Sequence, residues 1–454
     1  MIRYLNRDEY GKCIPLWKEA FPEDSEAFLD YYFGKKILDS QVIVKEDEGG
    51  KMLTMAHLNP YKVRVRDRMY VLPYIVGVAT ASDSRHQGHM RDVLVTMLQD
   101  MHEAHTPFCY LMPASPDIYR PFGFVYVFDQ PVWTLREDAA AGVQAIGLRL
   151  DEAEDEAGEE EAYVAAAEVQ TEEWDVAAAE MQAEASGVAM VEMQAKAPDV
   201  AAGETQTEEA DIAAEEIAYI GTACRCAAYK ESPASGRMNL ADWMNRWLGG
   251  RFQVYAERDS AYLQMLQAEL DSEDGQVYGY LDGQGRLAAL KAVWGKEKQE
   301  QRFLYCDRDE WIQAPEDLPA ARPAIMARIT DVAAMAEVIS VNEDCPCPRM
   351  EVMIRIRDRL VDGNHGLWRW RLGTDGSRLG RIEGIGTVEG FGIAEGGSDA
   401  LVSTEVLELT VEQMTAWLLG YRPLDEIMEA DSGEIPYWWR YVQPLKGVFL
   451  DEVV

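Results

Sequence analysis

Tyr70-Val71-Leu72-Pro73-Tyr74-Ile75-Val76-Gly77-Val78-Ala79-Thr80, then Ala81-Ser82-Asp83-Ser84, then Arg85-His86-Gln87-Gly88-His89-Met90, is the stretch on which the fold turns. Its first eleven residues are rich in β-branched and aromatic side chains and predict a buried strand. The four polar residues that follow predict a turn. From Met90 onward, Val93, Leu94, Met97, Leu98 and Met101 recur at helical spacing and form one apolar face. Phe108-Cys109-Tyr110-Leu111-Met112 predicts another short strand. A strand that passes through a turn into a helix N-terminus is a place where anions bind. Free backbone N–H groups and the positive end of the helix dipole converge there. Gly88 lets a diphosphate approach the backbone closely, and Arg85 adds a fixed charge. Alone, R-x-x-G says little, because an arginine near a helix start is commonplace. The strand before it, the amphipathic helix after it and the next strand give it force.

Outside this stretch the chain is constrained more loosely. Its 454 residues are too many for one core and predict two to four domains. The composition, 48% hydrophobic and 10% aromatic, is that of a folded protein. No apolar run reaches the length of a membrane helix, and Met1-Ile2-Arg3-Tyr4-Leu5-Asn6-Arg7-Asp8 lacks the apolar stretch of a signal peptide. A cytoplasmic protein that does not engage a membrane is the expectation. Seven cysteines are too few for a disulfide scaffold. Cys224-Arg225-Cys226 and Cys345-Pro346-Cys347 have the wrong spacing for zinc, so plain thiols and no metal are expected. A net charge of −37 argues against a nucleic-acid partner and suits a cationic small molecule or a basic polypeptide.

Over half of that charge sits in one segment, residues 151–216. Val164, Val176, Val188, Val200 and Ile212 open units of twelve residues, each with an alanine next and a glutamate four residues on. A step of twelve rotates equivalent helical positions by roughly 120°, so no single apolar stripe builds up. The segment reads as a low-complexity tandem expansion inserted in a loop. It serves either as an acidic lure for cationic ligands or as a tolerated surface insertion.

Val76-Gly77-Val78-Ala79-Thr80, the R-x-x-G turn and Tyr119-Arg120-Pro121-Phe122-Gly123-Phe124 together resemble the GNAT acetyltransferase superfamily. Within it they resemble the enhanced-intracellular-survival branch of aminoglycoside N-acetyltransferases. The motifs cover about residues 70–125, with a looser likeness at Arg328-Ile329-Thr330-Asp331-Val332 and at the C-terminal tail. The resemblance implies an α+β protein of three domains. These are a catalytic GNAT domain at 1–137, a second GNAT-like domain at 138–318 with the acidic repeat inserted, and a sterol-carrier-like α/β domain at 319–454. It implies acetyl-CoA as cosubstrate. Val78, Ala79 and Thr80 would contact the pantetheine arm, and Arg85, His86, Gln87, Gly88, His89, Met90 and Arg91 would surround the pyrophosphate. Ala114 and Ser115 would lie near the thioester. His89-Met90 stands where many relatives have a second small residue, which leaves the N–H donors in place. A homo-oligomer is also implied, commonly a hexamer in that family.

For the chemistry, the resemblance assigns Tyr119 to protonate the departing thiolate. A phenol with an ordinary pKa of about 10 can do so if held within hydrogen-bond reach. Tyr119-Arg120-Pro121-Phe122 also reads as an aromatic packing turn. The base implied by the family is the carboxylate of the last residue, here Val454. The tail Lys446-Gly447-Val448-Phe449-Leu450-Asp451-Glu452-Val453-Val454 is apolar and β-prone enough to deliver it or simply to complete a sheet. Asp451 and Glu452 are possible substitutes. The splayed strand carrying Val78 could offer an N–H to the thioester oxygen. Trp17, Phe21, Phe28, Tyr31, Tyr32 and Phe33 read either as acceptor-pocket walls or as core, and Glu23, Asp24 and Glu26 either hold a cationic amine or are solvated. The expected activity is acetyl transfer to an amine of a cationic small molecule such as an aminoglycoside. Protein lysine, or a non-enzymatic role in binding acyl-CoA or lipid, is the alternative.

Overall fold

Met52–Val65 and Arg68–Thr80 form the long antiparallel hairpin around which the first sheet is built. The computed structural model describes residues 1–136, 144–150, 224–225, 240–296, 298–315, 319–382, 400–429 and 435–452. The acidic repeat at 151–216 and the terminal pair Val453 and Val454 lie outside the described residues. In the first sheet β1 is Ile2–Tyr4, β2 Gln41–Glu46, β3 Met52–Val65, β4 Arg68–Thr80, β5 Phe108–Leu111, β6 Val125–Pro131 and β7 Ala321–Ile329. Their order across the sheet is β1-β2-β3-β4-β5-β7-β6. β7 thus returns from far along the chain to lie antiparallel between β5 and β6. The boundary expected at 319 falls just before this strand, so the chain re-enters the first sheet before it builds its last part.

The alternation of side chains along the strands decides what covers each face. Ile43, Ala56, Leu58, Ile75 and Leu111 face α3, His89–Glu103. That helix presents the expected stripe, with Val93, Leu94, Met97, Leu98 and Met101 buried and Met90 at its margin. Each fully buried side chain of this kind contributes about 1.5–3 kcal/mol. Val42, Val44, Met55 and Ala79 point the other way, against α1, Ile14–Ala20, and α2, Glu26–Gly34. Ser25 caps α2 by accepting from the Phe28 N–H.

A second sheet is antiparallel throughout, in the order Glu300–Cys306, Leu287–Trp294, Gln276–Leu281, Gln144–Leu150, Cys224–Arg225. The hairpin expected at Val277–Trp294 is present, turned by Asp282, whose carboxylate accepts from the N–H groups of Gln284 and Arg286. Trp243, Met244, Trp247 and Leu248 form the buried face of the helix Leu240–Gly249. The strand that follows, Val254–Ala256, pairs antiparallel with the end of β3 and parallel with Val448–Phe449 of the tail. A third sheet runs Ser377–Arg381, Gly366–Leu372, Arg349–Arg357, Ala400–Thr410, and its last pair is parallel. A capping box of Thr410 and Gln413 starts the helix Val411–Leu418 beside it. The architecture is therefore mixed α and β. Among the described residues no helix is long and apolar enough to cross a membrane.

The tail is held by charge in a dry place. Arg258 is fully buried and donates to Asp451 Oδ1 at 2.6 Å and to Glu452 Oε1 at 2.8 Å. Tyr305 donates to Asp451 Oδ2 at 2.7 Å, and Arg302 donates to the Asp451 carbonyl at 2.8 Å and to Glu269 at 2.9 Å. The Arg258 guanidinium also lies 4.2 Å from the Tyr262 ring centroid. Such a group is costly to bury and far costlier to break, because removing one partner leaves uncompensated charge. Arg258→Ala is expected to lower stability by about 3–5 kcal/mol. Arg258→Lys should not restore it, since an ammonium cannot fork between two carboxylates. Denaturant titration of the three proteins measures both effects.

Candidate active site

β4 contains one residue more than β3 can match. Met55 faces Ala79 and His57 faces Val76, so Ala56 alone lies opposite Gly77 and Val78. Gly77 absorbs the bulge with φ +59°, and a Cβ there would come within 2.4 Å of the Trp17 ring. Only glycine fits, on both counts. On its other side β4 meets β5 in parallel at a single pair, Tyr74 with Tyr110. Beyond it the two strands part, and Val76, Val78 and Thr80 remain half-buried along the opening. Thr54 Oγ1 ties the end of β4 by donating to the Ala79 carbonyl at 2.6 Å, and it meets Thr80 Oγ1 at 2.9 Å.

The turn after β4 is exposed from Arg85 to Gly88. His86 and Gly88 are both left-handed, at φ 63° and 82°, on either side of Gln87. Alternating handedness of this kind makes successive N–H groups converge. Among the described residues none of the N–H groups of Arg85, His86, Gln87 and Gly88 is hydrogen-bonded. Gly88 is the N-cap of α3, so the helix dipole adds to the turn. An added Cβ at Gly88 would touch nothing within 4 Å, which leaves space in front of the backbone for a ligand. Arg85 donates to the Thr80 carbonyl at 3.2 Å and thereby ties the turn back to β4. His89 and Met90 are half-buried at the helix start, and Arg91 is exposed. The donor set suits a diphosphate.

Ala114 and Ser115 precede α4, Pro116–Tyr119, with Ser115 at its N-cap. Tyr119 is buried on the α3 side of the sheet, its ring 6.0 Å from Phe124. Burial pushes its phenol up to about 12, so it stays protonated at physiological pH. Its hydroxyl makes no hydrogen bond among the described residues. Tyr119 thus both packs and keeps a proton to donate.

On the opposite face, four of the six aromatic residues in α1, at its C-cap Phe21 and in α2 are core. Trp17, Phe28, Tyr31 and Tyr32 are buried, while Phe21 and Phe33 are half-buried. Asp24 accepts from Trp17 Nε1 at 2.7 Å, and Glu26 pairs with Lys18, so neither stands free for a ligand. Sequence reasoning passed over His57, Asn59, Tyr61 and Lys36 on this face. Lys36 is nearly fully buried, donates to the Tyr61 hydroxyl at 2.9 Å, and is pushed down to about 8 by burial. Tyr61, Tyr74 and Tyr110 continue the layer, and the Tyr110 hydroxyl has no partner among the described residues. Glu452 enters the same layer from the tail. Burial raises its pKa, and its Oε2 is unpaired among the described residues. The one available signal was the spacing of His57 and Asn59, two polar residues on one side of an apolar strand.

Residues 1–127 match the family model described as an acetyltransferase (GNAT) domain. The chain carries an acetyltransferase domain. That agrees with the enzyme class and cosubstrate expected from the sequence, an N-acetyltransferase using acetyl-CoA. Three solved structures are similar over nearly the whole chain. One is a conserved protein of unknown function from Enterococcus faecalis V583, titled a probable N-acyltransferase, at 14% identity and TM-score 0.61 over 99% of each chain. Another is a GCN5-related N-acetyltransferase from Kribbella flavida, at 14% and 0.56 over 100% of each. The third is Eis1 from Mycobacterium abscessus, at 12% and 0.55 over 100% of this chain and 99% of that one. At such identities the likeness is one of fold. A comparison with curated proteins matches none of them.

Two glycines in the acetyltransferase domain are therefore fixed for different reasons. Gly88→Ala should cost about 1–2 kcal/mol from φ alone. Gly77→Ala should cost more, because Trp17 must also move. Thermal melts of both variants test the order, and equal losses would mean that Trp17 yields freely.

Proposed function

We propose that the chain is an acetyl-CoA-dependent N-acetyltransferase that moves an acetyl group to an amine of a cationic small molecule, of which an aminoglycoside is the example. The observation that carries this is the parting of β4 from β5 beyond Tyr74 and Tyr110, with free N–H groups at Arg85–Gly88 after the end of β4 and Tyr119 buried in the short helix that follows Ala114 and Ser115. In this reading the turn residues Arg85 to Arg91 hold the pyrophosphate, the backbone of Val78, Ala79 and Thr80 holds the pantetheine arm, and Ala114 and Ser115 border the thioester. The neutral amine attacks the carbonyl carbon, the C–S bond breaks, and the sulfur leaves toward Tyr119. A phenol near 12 holds its proton more tightly than a thiol of about 8.5. Its contribution as general acid is then a hydrogen bond to the departing sulfur, since full transfer of the proton to so weak a base is uphill.

The base assigned is the C-terminal carboxylate of Val454, a residue outside those described. Supporting this, Arg258 and Arg302 fix the tail at Asp451, three residues before Val454. Glu452 is a second candidate base, favoured by its unpaired Oε2 and by the burial that raises its affinity for a proton. A net charge of −37 favours a cationic acceptor over an anionic one. The division into a catalytic domain at 1–137, a second GNAT-like domain at 138–318 and a sterol-carrier-like domain at 319–454 belongs to the same proposal, as do a hexameric homo-oligomer and a cytoplasmic location.

Following CoA thiol release with acetyl-CoA and a panel of amines, including kanamycin, spermidine and a lysine peptide, tests the activity. Turnover should be highest with kanamycin, and none with any amine rejects the proposal. Tyr119→Phe should lower kcat by about 10²–10⁴-fold with little change in KM for acetyl-CoA. Deleting Val453 and Val454 should lower kcat by a similar factor. Unimpaired turnover would move the role of base to Glu452.

A further inference from the structure

His57 lies across the sheet from Val76, the residue just before the Gly77 bulge, on the face away from α3. Its ring is packed among Trp17, Tyr32 and Phe33, with centroids 5.2, 5.8 and 6.3 Å away. Hydrogen bonds around it fix where its proton sits. Asn59 Oδ1 accepts from Ser40 Oγ at 2.6 Å and from the Tyr32 hydroxyl at 3.2 Å. The single Tyr32 proton is thereby committed to Asn59. With the Asn59 amide in this orientation, the 3.0 Å contact between Tyr32 and His57 Nδ1 is assigned the imidazole as donor. That assignment puts the proton on Nδ1 and a lone pair on Nε2. That nitrogen is buried and has no partner among the described residues. Burial lowers the pKa of the ring to about 3, so the lone pair persists throughout the physiological range.

A buried acceptor left unpaired is uncommon and costly, and such groups gather where a ligand completes them. Three more unpaired atoms, Asn59 Nδ2, Tyr110 Oη and Glu452 Oε2, belong to the same layer of the sheet face. Asn59 lies opposite Tyr74, and Tyr74 is the partner of Tyr110 where β4 and β5 begin to part. His57 is only two residues farther along, about 7 Å.

We infer that His57 Nε2 binds the acceptor, accepting a hydrogen bond from the amine nitrogen as that nitrogen attacks the thioester beside the Gly77 bulge. This rests on the acetyl-transfer reading above. A primary amine has two N–H bonds once neutral. One proton leaves to the base as the C–N bond forms and the C–S bond breaks. The other remains on the amide product, and that retained N–H is the one His57 holds. His57 takes no proton, and its contact turns the nitrogen lone pair toward the carbonyl carbon. The site therefore favours primary amines, which keep an N–H for this contact after the transfer.

The test compares wild type, His57→Phe and His57→Gln with kanamycin as acceptor. His57→Phe should lower kcat/KM for kanamycin about tenfold or more, with KM for acetyl-CoA unchanged. His57→Gln, whose amide oxygen can accept in the same place, should recover most of the loss. The pH profile should keep its shape, because the group does not titrate there. Unchanged kcat/KM in His57→Phe, or the loss of a limb of the pH profile, would overturn the inference. Wild type inert toward every amine would instead remove the reading beneath it. Should the variants fail to fold, ¹⁵N spectra of histidine-labelled wild type decide. Unprotonated Nε2 that shifts on adding kanamycin supports the contact, and protonated or unmoved Nε2 refutes it.

Discussion

The structure depends on a mismatch of one residue between β3 and β4. Sheets tolerate an extra residue only as a bulge, which kinks the strand and increases its twist. Here the bulge falls at Gly77, and β4 has its single ladder pair with β5 three residues earlier, at Tyr74. After the kink β4 no longer runs alongside β5, so one edge of its backbone is left unpaired. Unpaired backbone in a folded interior demands a partner. An extended ligand with amide groups, lying between the strands, is one solution. The same geometry aims the end of β4 at the turn that starts α3, so the opening ends on converging N–H donors. Opening and anion site are thus two consequences of one local irregularity, held in place by Trp17 pressing on the one residue of β4 that lacks a Cβ.

A second constraint is that the first sheet cannot be completed by the first part of the chain. β5 and β6 do not pair with each other; β7 fills the space between them. Arg328, near the end of β7, is buried and forms a two-toothed ion pair with Asp358 at 2.7 and 2.8 Å. That pair joins the strand to the connection between Arg349–Arg357 and Gly366–Leu372 of the third sheet. Val254–Ala256 and the tail strand Val448–Phe449 then extend the other side of β3. Segments separated by hundreds of residues are therefore needed for one sheet, and non-local pairing of this kind is slow to form. The match to an acetyltransferase domain ends at residue 127, but the structural unit containing the candidate site does not.

What was legible in the sequence was what depends on local periodicity. α3 begins at His89, one residue before the predicted apolar stripe, and its five buried positions are those the spacing of three and four picked out. The hairpin around Asp282 was legible for the same reason, since a carboxylate followed by glycine states its turn type locally. β7 was not legible as part of the first sheet. Ala321–Ile329 has the pattern of any buried strand, and nothing in it names its neighbours. Arg258 and Arg302 were equally silent, because a buried arginine looks like an exposed one until its carboxylates are placed. The aromatic residues of α1 and α2 were ambiguous for a different reason. A pocket wall and a core face share the same helical spacing, and here Trp17 and Tyr32 are packed as core while framing His57.

The electrostatics divide between outside and inside. A chain with a net charge of −37 concentrates cations around itself and offers an approaching amine its charged form. That form cannot attack, because its lone pair is occupied. Within the layer around Tyr74 and Tyr110 the balance reverses. Burial holds His57 uncharged, raises the affinity of Glu452 for a proton, and lowers the pKa of Lys36 to about 8. Each shift has desolvation as its leading cause, and desolvation penalises an ammonium as it penalises these groups. A cationic amine entering such a layer is pushed toward losing its proton just as it meets acceptors such as His57 Nε2 and Glu452 Oε2. In the proposed reaction the acidic charge of the chain and the dry interior are then successive steps in one process: the first gathers the amine as a cation, and the second makes a nucleophile of it.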